Sequence, residues 1–187
     1  MKLKMIIITV VTCLITIISF GQEEFVYNEN GLNPKYLVVD IGDKDKSEIF
    51  NETINWIKET YKNPDDVIKT TIDNKKVRFE GMHSTKNICV KIFGKTTCYY
   101  ALYTIEIEFK DGKYKFQPLS LKYRVPISKY NTSGVNPINL SDGSGYYNRK
   151  GELRKSYDTQ PSAVEDLFNS LNSDLKIYLT TEKESNW

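Results

Sequence analysis

Histidine is almost absent from this sequence of 187 residues, which contains only His83. This excludes metal sites built from several histidines, and it removes most acid–base designs, which use histidine because its pKa lies near neutrality. A cysteine–histidine dyad with Cys89 or Cys98 has no identifiable orienting residue. We therefore predict no catalytic residue, no metal site and no cofactor.

An excess of charge of either sign is also lacking. The chain has 26 lysines and arginines against 24 aspartates and glutamates, and removal of Lys2 and Lys4 with an N-terminal leader leaves 24 of each sign. A formally neutral mature protein has no bulk attraction for nucleic acid or anionic lipid. We therefore expect no nucleic-acid partner.

Long apolar runs are missing except near the start, where residues 5–20 contain no charged group. Two lysines precede this run, which is the arrangement of a secretory signal peptide. Ser19 and Gly21 supply small side chains three residues and one residue before Gln22. We therefore predict that residues 1–21 form a signal peptide that is cleaved between Gly21 and Gln22.

Two alternatives would leave the protein anchored to a membrane. A transmembrane anchor needs about 20 apolar residues, and this run is shorter. A lipid anchor on Cys13 is disfavoured because Thr12 precedes the cysteine and the apolar run continues through Ile18. We therefore expect no transmembrane span after cleavage, no lipid anchor at Cys13, and an exported protein that is periplasmic, associated with the outer envelope or secreted.

Cysteine is scarce, and Cys89 and Cys98 are the only two after the leader. An even number of cysteines in an oxidising compartment favours a disulfide bond. A hairpin that turns at Phe93 and Gly94 would place Cys89 opposite Cys98, in a non-hydrogen-bonded pair with close Cα atoms. This pair is our disulfide candidate. The alternatives are two reduced, unrelated thiols and a turn that is shifted by one or two residues.

The mature chain predicts one α+β domain over residues 35–180, between a polar extension at 22–34 and a charged tail at 181–187. A short β-branched run at 35–41 predicts a strand. Asp45 and Glu48 then have the spacing of a capping box, and they precede an apolar helical stripe that ends before Pro64.

Strand patterns without a helical period fill the next sixty residues. The run at 99–109 alternates most clearly, with one face apolar and the other largely polar. Asp111 and Gly112 predict a tight hairpin turn, and Pro118 predicts a bulge or bend on an edge strand. The candidate strands lie at 67–72, 75–82, 88–93, 99–109 and 113–124.

Residues 128–160 lack a sustained period and predict a long loop, and loops of this length usually carry function or disorder. Pro161 and a capping box from Ser162 to Glu165 then predict a final helix. The elements thus follow the order β-α-β-β-β-β-α.

Two surfaces are candidates for binding. Tyr146 and Tyr147 in the long loop could form a polar aromatic surface for a glycan or a protein, and Tyr100 and Glu106 lie on the solvated face of the predicted sheet. The alternatives are a loop that folds back over the sheet edge and a plain solvent-facing sheet.

Several local stretches, in this order, resemble an exported bacterial family of unknown function with a TATA-binding-protein-like fold. The resemblance implies a curved antiparallel sheet of four to five strands with two helices on one face, and it implies no activity and no cofactor. The stretches that carry it are Asn55 to Lys58, Asp66 to Ile68, Phe109 to Tyr114, Ser141 to Ser144, Tyr146 with Tyr147, and Lys150 with Gly151.

The leading functional hypothesis is a non-enzymatic exported binding domain whose partner is an envelope protein or a glycan. An enzyme of unrecognised type centred on His83 is the first alternative. The second alternative is a carrier of a small apolar ligand between the sheet and the helices.

Overall fold

The computed structural model describes residues 23–92 and 94–181. The predicted signal peptide, its cleavage junction at Gly21 and Gln22, Cys13 and the tail from residue 182 onward lie outside the described residues. Within those ranges, none of the helices has the length and apolar character that a membrane crossing requires.

The described chain contains eight strands, three α-helices and one 3₁₀ helix. The strands are β1 Val26–Asn28, β2 Gly31–Asn33, β3 Leu37–Asp40, β4 Ile68–Ile72, β5 Lys76–Ile92, β6 Lys95–Lys110, β7 Lys113–Arg124 and β8 Val135–Ile138. The helices are α1 Lys46–Thr60, α2 Pro64–Val67, the 3₁₀ helix Lys155–Tyr157 and α3 Gln160–Thr180.

Six strands form one antiparallel sheet, which confirms the predicted α+β class. Its order is β3-β7-β6-β5-β4, with β8 paired to β7 beside β3. The sheet therefore has one strand more than the four to five predicted. The additional strand, β8, lies within residues 128–160, where we expected only a loop.

Both long helices pack on the same face of the sheet. Phe50 and Trp56 of α1 contact Phe109 and Phe79, with ring centroids 5.6 Å and 5.8 Å apart. The hydroxyl of Tyr114 on β7 donates to the side-chain oxygen of Asn172 on α3 at 3.0 Å. One face of the sheet is thus covered, as the resemblance implies.

The space between sheet and helices is filled by close-packed side chains. Phe79, Phe116, Ile105 and Ile107 of the sheet and Phe168 of α3 are completely buried there. These side chains belong to one hydrophobic core. The structure therefore gives no support to the alternative of an apolar ligand carried between sheet and helices.

Helix α1 begins where the sequence predicts. The Asp45 carboxylate accepts hydrogen bonds from the backbone N–H groups of Ser47 and Glu48, both at 2.8 Å. This cap satisfies two of the unpaired donors at a helix start. The helix ends at Thr60, before Pro64, because proline and the residue before it disfavour helix continuation.

Strands β5 and β6 form one long hairpin, so the predicted strands at 75–82 and 88–93 are parts of a single strand. The pairing of β5 with β6 is irregular between Met82 and Ile88, which explains the weak pattern in between. Cys89 pairs with Cys98 as predicted, and their sulfur atoms lie 2.01 Å apart, at the distance of a disulfide bond.

Pro118 lies at an irregularity of β7, as predicted, since the register of β6 and β7 shifts between Thr104 and Ile105. However, β7 is not an edge strand along its length. It pairs with β3 through residues 113–116 and with β8 through residues 121–124. Pro118 occupies the gap between these partners, where its missing N–H costs no sheet hydrogen bond.

Residues 26–33 of the predicted loose extension at 22–34 instead form an ordered hairpin, so this prediction was wrong for that part. Phe25, Tyr27 and Leu32 are buried in the core. The backbone N–H and C=O of Phe25 both bond to the Asn169 side chain of α3, at 2.8 Å and 3.0 Å. The hairpin is therefore a third element on the helix side of the sheet.

The start of α3 also differs from the predicted capping box. The helix begins at Gln160, and its N-cap Thr159 makes no side-chain capping bond. Glu165 accepts a hydrogen bond at 2.7 Å from the backbone N–H of Tyr27 in the N-terminal hairpin. The Glu165 carboxylate, which the local pattern assigned to the helix cap, therefore makes a tertiary contact instead.

Candidate functional site

The face of the sheet opposite the helices, which we call the open face, carries a cluster of polar groups. Its members alternate with the buried side chains along each strand, as the period of a strand requires. The open face comprises Val38 of β3, Lys76, Arg78, Glu80 and Met82 of β5, Tyr100, Leu102, Thr104, Glu106 and Glu108 of β6, and Lys115, Gln117, Ser120 and Lys122 of β7.

Glu106 is the centre of the open face, and only 8% of its surface is exposed. Its Oε2 accepts hydrogen bonds from Arg78 Nη2 at 2.7 Å and from Lys76 Nζ at 3.2 Å. Burial alone would raise the pKa of this carboxyl, but the hydrogen bonds and charges of the two cations outweigh it and hold the pKa below its ordinary value. Glu106 is thus ionised and held in one position.

A lowered pKa in the folded state makes stability depend on pH. The ionised Glu106 contributes fully to the free energy of unfolding when the pH is above the pKa that this group has in the unfolded chain. The contribution disappears as the pH falls through the lower pKa that the group has in the folded protein. We expect Glu106→Gln to reduce the free energy of unfolding by about 1–2 kcal/mol at pH 7, because charged hydrogen bonds are lost. Urea unfolding from pH 7 down to pH 2 should show this difference vanish.

Glu108→Gln is the matched control, because Glu108 lies on the same strand and face but is largely solvated, and its ion pair with Lys115 is at the surface. Surface ion pairs contribute less than about 1 kcal/mol. An equal loss for both variants, or a loss for Glu106→Gln that persists at pH 2, would contradict the assigned role of Glu106.

Other polar groups on and beside the open face are also paired. Thr104 and Ser120 share a hydrogen bond between their hydroxyl oxygens at 2.8 Å. Lys86 lies 5.5 Å above the ring of Tyr100. The structure therefore brings Tyr100 and Glu106 to the same face, as the sequence predicts.

A groove of about 710 Å³ borders the open face at the end of α1. Its floor includes Tyr61 and Tyr103, and its walls include Val67, Met82 and Leu102. The hydroxyl oxygens of Tyr61 and Tyr103 lie 2.8 Å apart, and burial raises the pKa of both. Both hydroxyls are thus protonated, and one of them donates to the other.

Gly81 makes room for the Tyr103 ring at the bottom of this groove. A Cβ atom at Gly81 would lie 2.6 Å from two carbons of that ring, which is far inside van der Waals contact. The sequence analysis did not identify this groove. Its only local signal was a glycine inside a strand pattern, which often marks a close approach.

We expect Gly81→Ala to reduce the free energy of unfolding by about 1–3 kcal/mol, because overpacking displaces a buried ring. Gly145→Ala is the control, since a Cβ there would meet no atom within 4 Å. Thermal and chemical unfolding of both variants checks the prediction. It is contradicted if Gly81→Ala is as stable as Gly145→Ala.

Tyr146 and Tyr147 lie away from the open face, beneath the N-terminal hairpin. Tyr146 is 9% exposed, and its ring lies 5.6 Å from that of Tyr27 and 5.2 Å from that of Tyr157. The Tyr147 hydroxyl donates to the carbonyl oxygen of Tyr27 at 3.0 Å. These contacts hold the loop on the domain and leave little of Tyr146 for a partner.

His83 lies in the irregular part of β5. Its Nδ1 contacts the carbonyl oxygen and the hydroxyl of Thr85, at 3.1 Å and 3.2 Å, so its described hydrogen bonds stay within its own segment. Within residues 23–92 and 94–181, histidines, cysteines and carboxylates form no cluster of three that could hold a metal ion. The geometry thus gives no support to an enzyme centred on His83.

The protein is an α+β domain. Its antiparallel sheet carries two long helices on one face, and its second face is open. Residues 36–124 match the model of the family described as a domain of unknown function (DUF4468) with TBP-like fold. The resemblance drawn from the sequence is therefore confirmed.

Two crystal structures show the same fold. A DUF4468 family protein from Bacteroides ovatus superposes with a TM-score of 0.59 at 13% identity, over 81% of this chain and 88% of that one. A TBP-like protein from Parabacteroides distasonis gives a TM-score of 0.52 at 15% identity, over 79% and 92% of the two chains. No curated protein matches the chain.

Proposed function

We propose that this protein is an exported, non-enzymatic binding domain of the cell envelope and that its open face contacts the partner. Its main support is the arrangement around Glu106. A nearly buried carboxylate held by Arg78 and Lys76 fixes the side chains of an otherwise solvent-facing sheet. Fixed side chains lose less conformational entropy on binding than mobile ones, which favours recognition.

The composition of this surface is suited to a macromolecular partner. Tyrosine and arginine are enriched where proteins contact one another, and Tyr100 and Arg78 lie on the open face. Charges of both signs alternate across it, so the face has no single-sign potential that would favour a nucleic acid. A protein or a glycan of the envelope therefore fits this surface better than a polyanion.

Export is supported by two independent features of the chain. The leader at residues 1–21 has the organisation of a signal peptide. Cys89 and Cys98 lie at the distance of a disulfide bond, and such bonds persist in oxidising compartments outside the cytoplasm.

Site-specific photo-crosslinking in the producing cell tests the proposed contact face. A photoreactive phenylalanine analogue at Gln117, which lies on the open face opposite Glu106 and outside the groove, should yield a crosslinked species in the envelope fraction. The same analogue at Asn51, an exposed position of α1, should not. Crosslinks from Asn51 alone, or crosslinks from neither position, would overturn the proposal. Treatment with a protease or a glycosidase then distinguishes a protein partner from a glycan.

A further inference from the structure

Strand β5 is much longer than its neighbour β4, so part of its outer edge has no strand beside it. Pairing of the two strands runs from Ile72 with Lys76 to Ile68 with Phe79, where α2 precedes β4. Strand β5 continues to Ile92. After Phe79, the residues Glu80, Gly81, Met82 and Ser84 line the groove. The helices α2 and α3 and the 3₁₀ helix also contact β5.

The register shows which backbone groups of β5 point to this edge. The N–H of Phe109 on β6 bonds to the carbonyl oxygen of Lys75 at 3.0 Å, so odd-numbered residues of β6 bond toward β5. Met82 pairs with the even-numbered Leu102. In an antiparallel ladder the N–H and C=O of Met82 therefore point away from β6, toward the groove.

Further along the same edge, the outward-pointing carbonyl group of Cys89 has a hydrogen-bond partner. Cys89 and Cys98 form a non-hydrogen-bonded pair, so the carbonyl of Cys89 points outward as well. This carbonyl accepts a hydrogen bond at 3.0 Å from the Gln160 side chain. The open part of the edge thus lies between Phe79 and Cys89, with Met82 near its start.

The groove beside Met82 is lined by three lysines, Lys62, Lys69 and Lys122, and by two carboxylates, Asp66 and Glu80. Two tyrosine hydroxyls share a single hydrogen bond, so the pair of Tyr61 and Tyr103 leaves one O–H with no acceptor among its described contacts. Lys69 lies 3.7 Å from Glu80. Lys62 and Lys122 also line the groove and form no ion pair within the described residues.

We propose that an extended peptide segment of a partner protein, carrying carboxylate side chains, adds to the sheet as a strand beside β5 at Met82. Its backbone would bond to the N–H and C=O of Met82, its alternate side chains would contact Leu102 or Val67, and its carboxylates would face Lys62. This inference rests on the proposed binding function and names its partner class.

Selection from a phage-displayed library of random 12-residue peptides on the immobilised mature protein tests the proposal. Enriched peptides should contain aspartate or glutamate. Methylation of successive backbone nitrogens in a selected peptide should weaken binding about tenfold at every second position and leave the others unchanged, because alternate N–H groups face β5. Equal effects at all positions would overturn strand addition.

Two variants locate the site. Met82→Pro removes the N–H that faces the groove and should weaken binding about tenfold, whereas Met82→Leu keeps this N–H and should bind normally. Should Met82→Pro fail to fold, the methylation series decides alone. Equal binding to all three proteins, or no enriched peptide, overturns the inference.

An open-face variant separates this inference from the proposed function. Gln117→Arg fills the open face opposite Glu106 at a position that does not line the groove, and it leaves the backbone of β5 unchanged, so peptide binding should persist. Binding that is lost with Gln117→Arg and kept with Met82→Pro would overturn the edge site and support the open face. The crosslinking from Gln117 tests the proposed function whether or not any peptide is selected.

Discussion

Replacement of Phe25 by alanine should lower the free energy of unfolding by about 3–5 kcal/mol, the usual cost of truncating a buried phenylalanine. The Phe25 ring is 1% exposed and lies 6.1 Å from the rings of both Phe116 and Phe168. It therefore joins the N-terminal hairpin to the sheet and to α3 at one point. Equilibrium unfolding in urea, followed by circular dichroism, measures the loss.

Val26→Ala is the matched control for this experiment, because Val26 is the next residue and is 52% exposed. Its truncation should change the free energy of unfolding by less than about 0.5 kcal/mol. Similar values for the two variants would contradict the packing of the hairpin in the core. They would support the loose extension that the sequence predicts.

Replacement of both Cys89 and Cys98 by serine should cost about 2–3 kcal/mol, which is the chain-entropy effect of a cross-link between residues nine positions apart. The effect arises mainly in the unfolded state, which gains freedom when the link is removed. Chemical unfolding of the oxidised protein and the double variant should show the difference.

Reduction of the wild-type protein provides a second measurement. A reducing agent should lower its stability to that of the double serine variant and should leave the variant unchanged. Thr97→Ser, in the same hairpin, controls for serine substitution itself. Free thiols at both positions in the exported protein, detected by alkylation and intact mass, would contradict the bond.

The parts of the fold that sequence analysis predicted depend on local patterns. Asp45 and the apolar stripe of α1 lie within one helix, and the turn at Asp111 and Gly112 fixes the register of β6 and β7. The pairing of Cys89 with Cys98 follows in the same way from a two-residue turn. Short-range signals are reliable here because local and tertiary preferences agree.

The N-terminal hairpin was missed because its partners are distant in sequence. Phe25, Tyr27 and Leu32 are separated by polar and turn residues, so they show no period. The backbone N–H groups of Phe25 and Tyr27 donate to Asn169 and Glu165 of α3, and the N–H of Leu32 donates to the carbonyl oxygen of Leu140. A pattern within ten residues cannot show contacts of this range, and the polar composition therefore predicted a loose segment.

The candidate site was predictable only where a local pattern determines it. Alternation along β6 places Tyr100 and Glu106 on one face, and this required only the period of a strand. The groove depends on where β4 stops and on the approach of Tyr61 to Tyr103. These features arise from the meeting of separate elements, and no single stretch of sequence contains them.

The anchoring of Phe25 has a consequence for the order of events during secretion. If the leader is cut after Gly21, the scissile bond lies only four positions before a residue that Asn169 holds from 144 positions downstream. A contact of this range forms only when nearly the whole polypeptide is available. A peptidase would therefore reach its target most easily on a chain still emerging from the translocation channel, before the first hairpin meets the last helix.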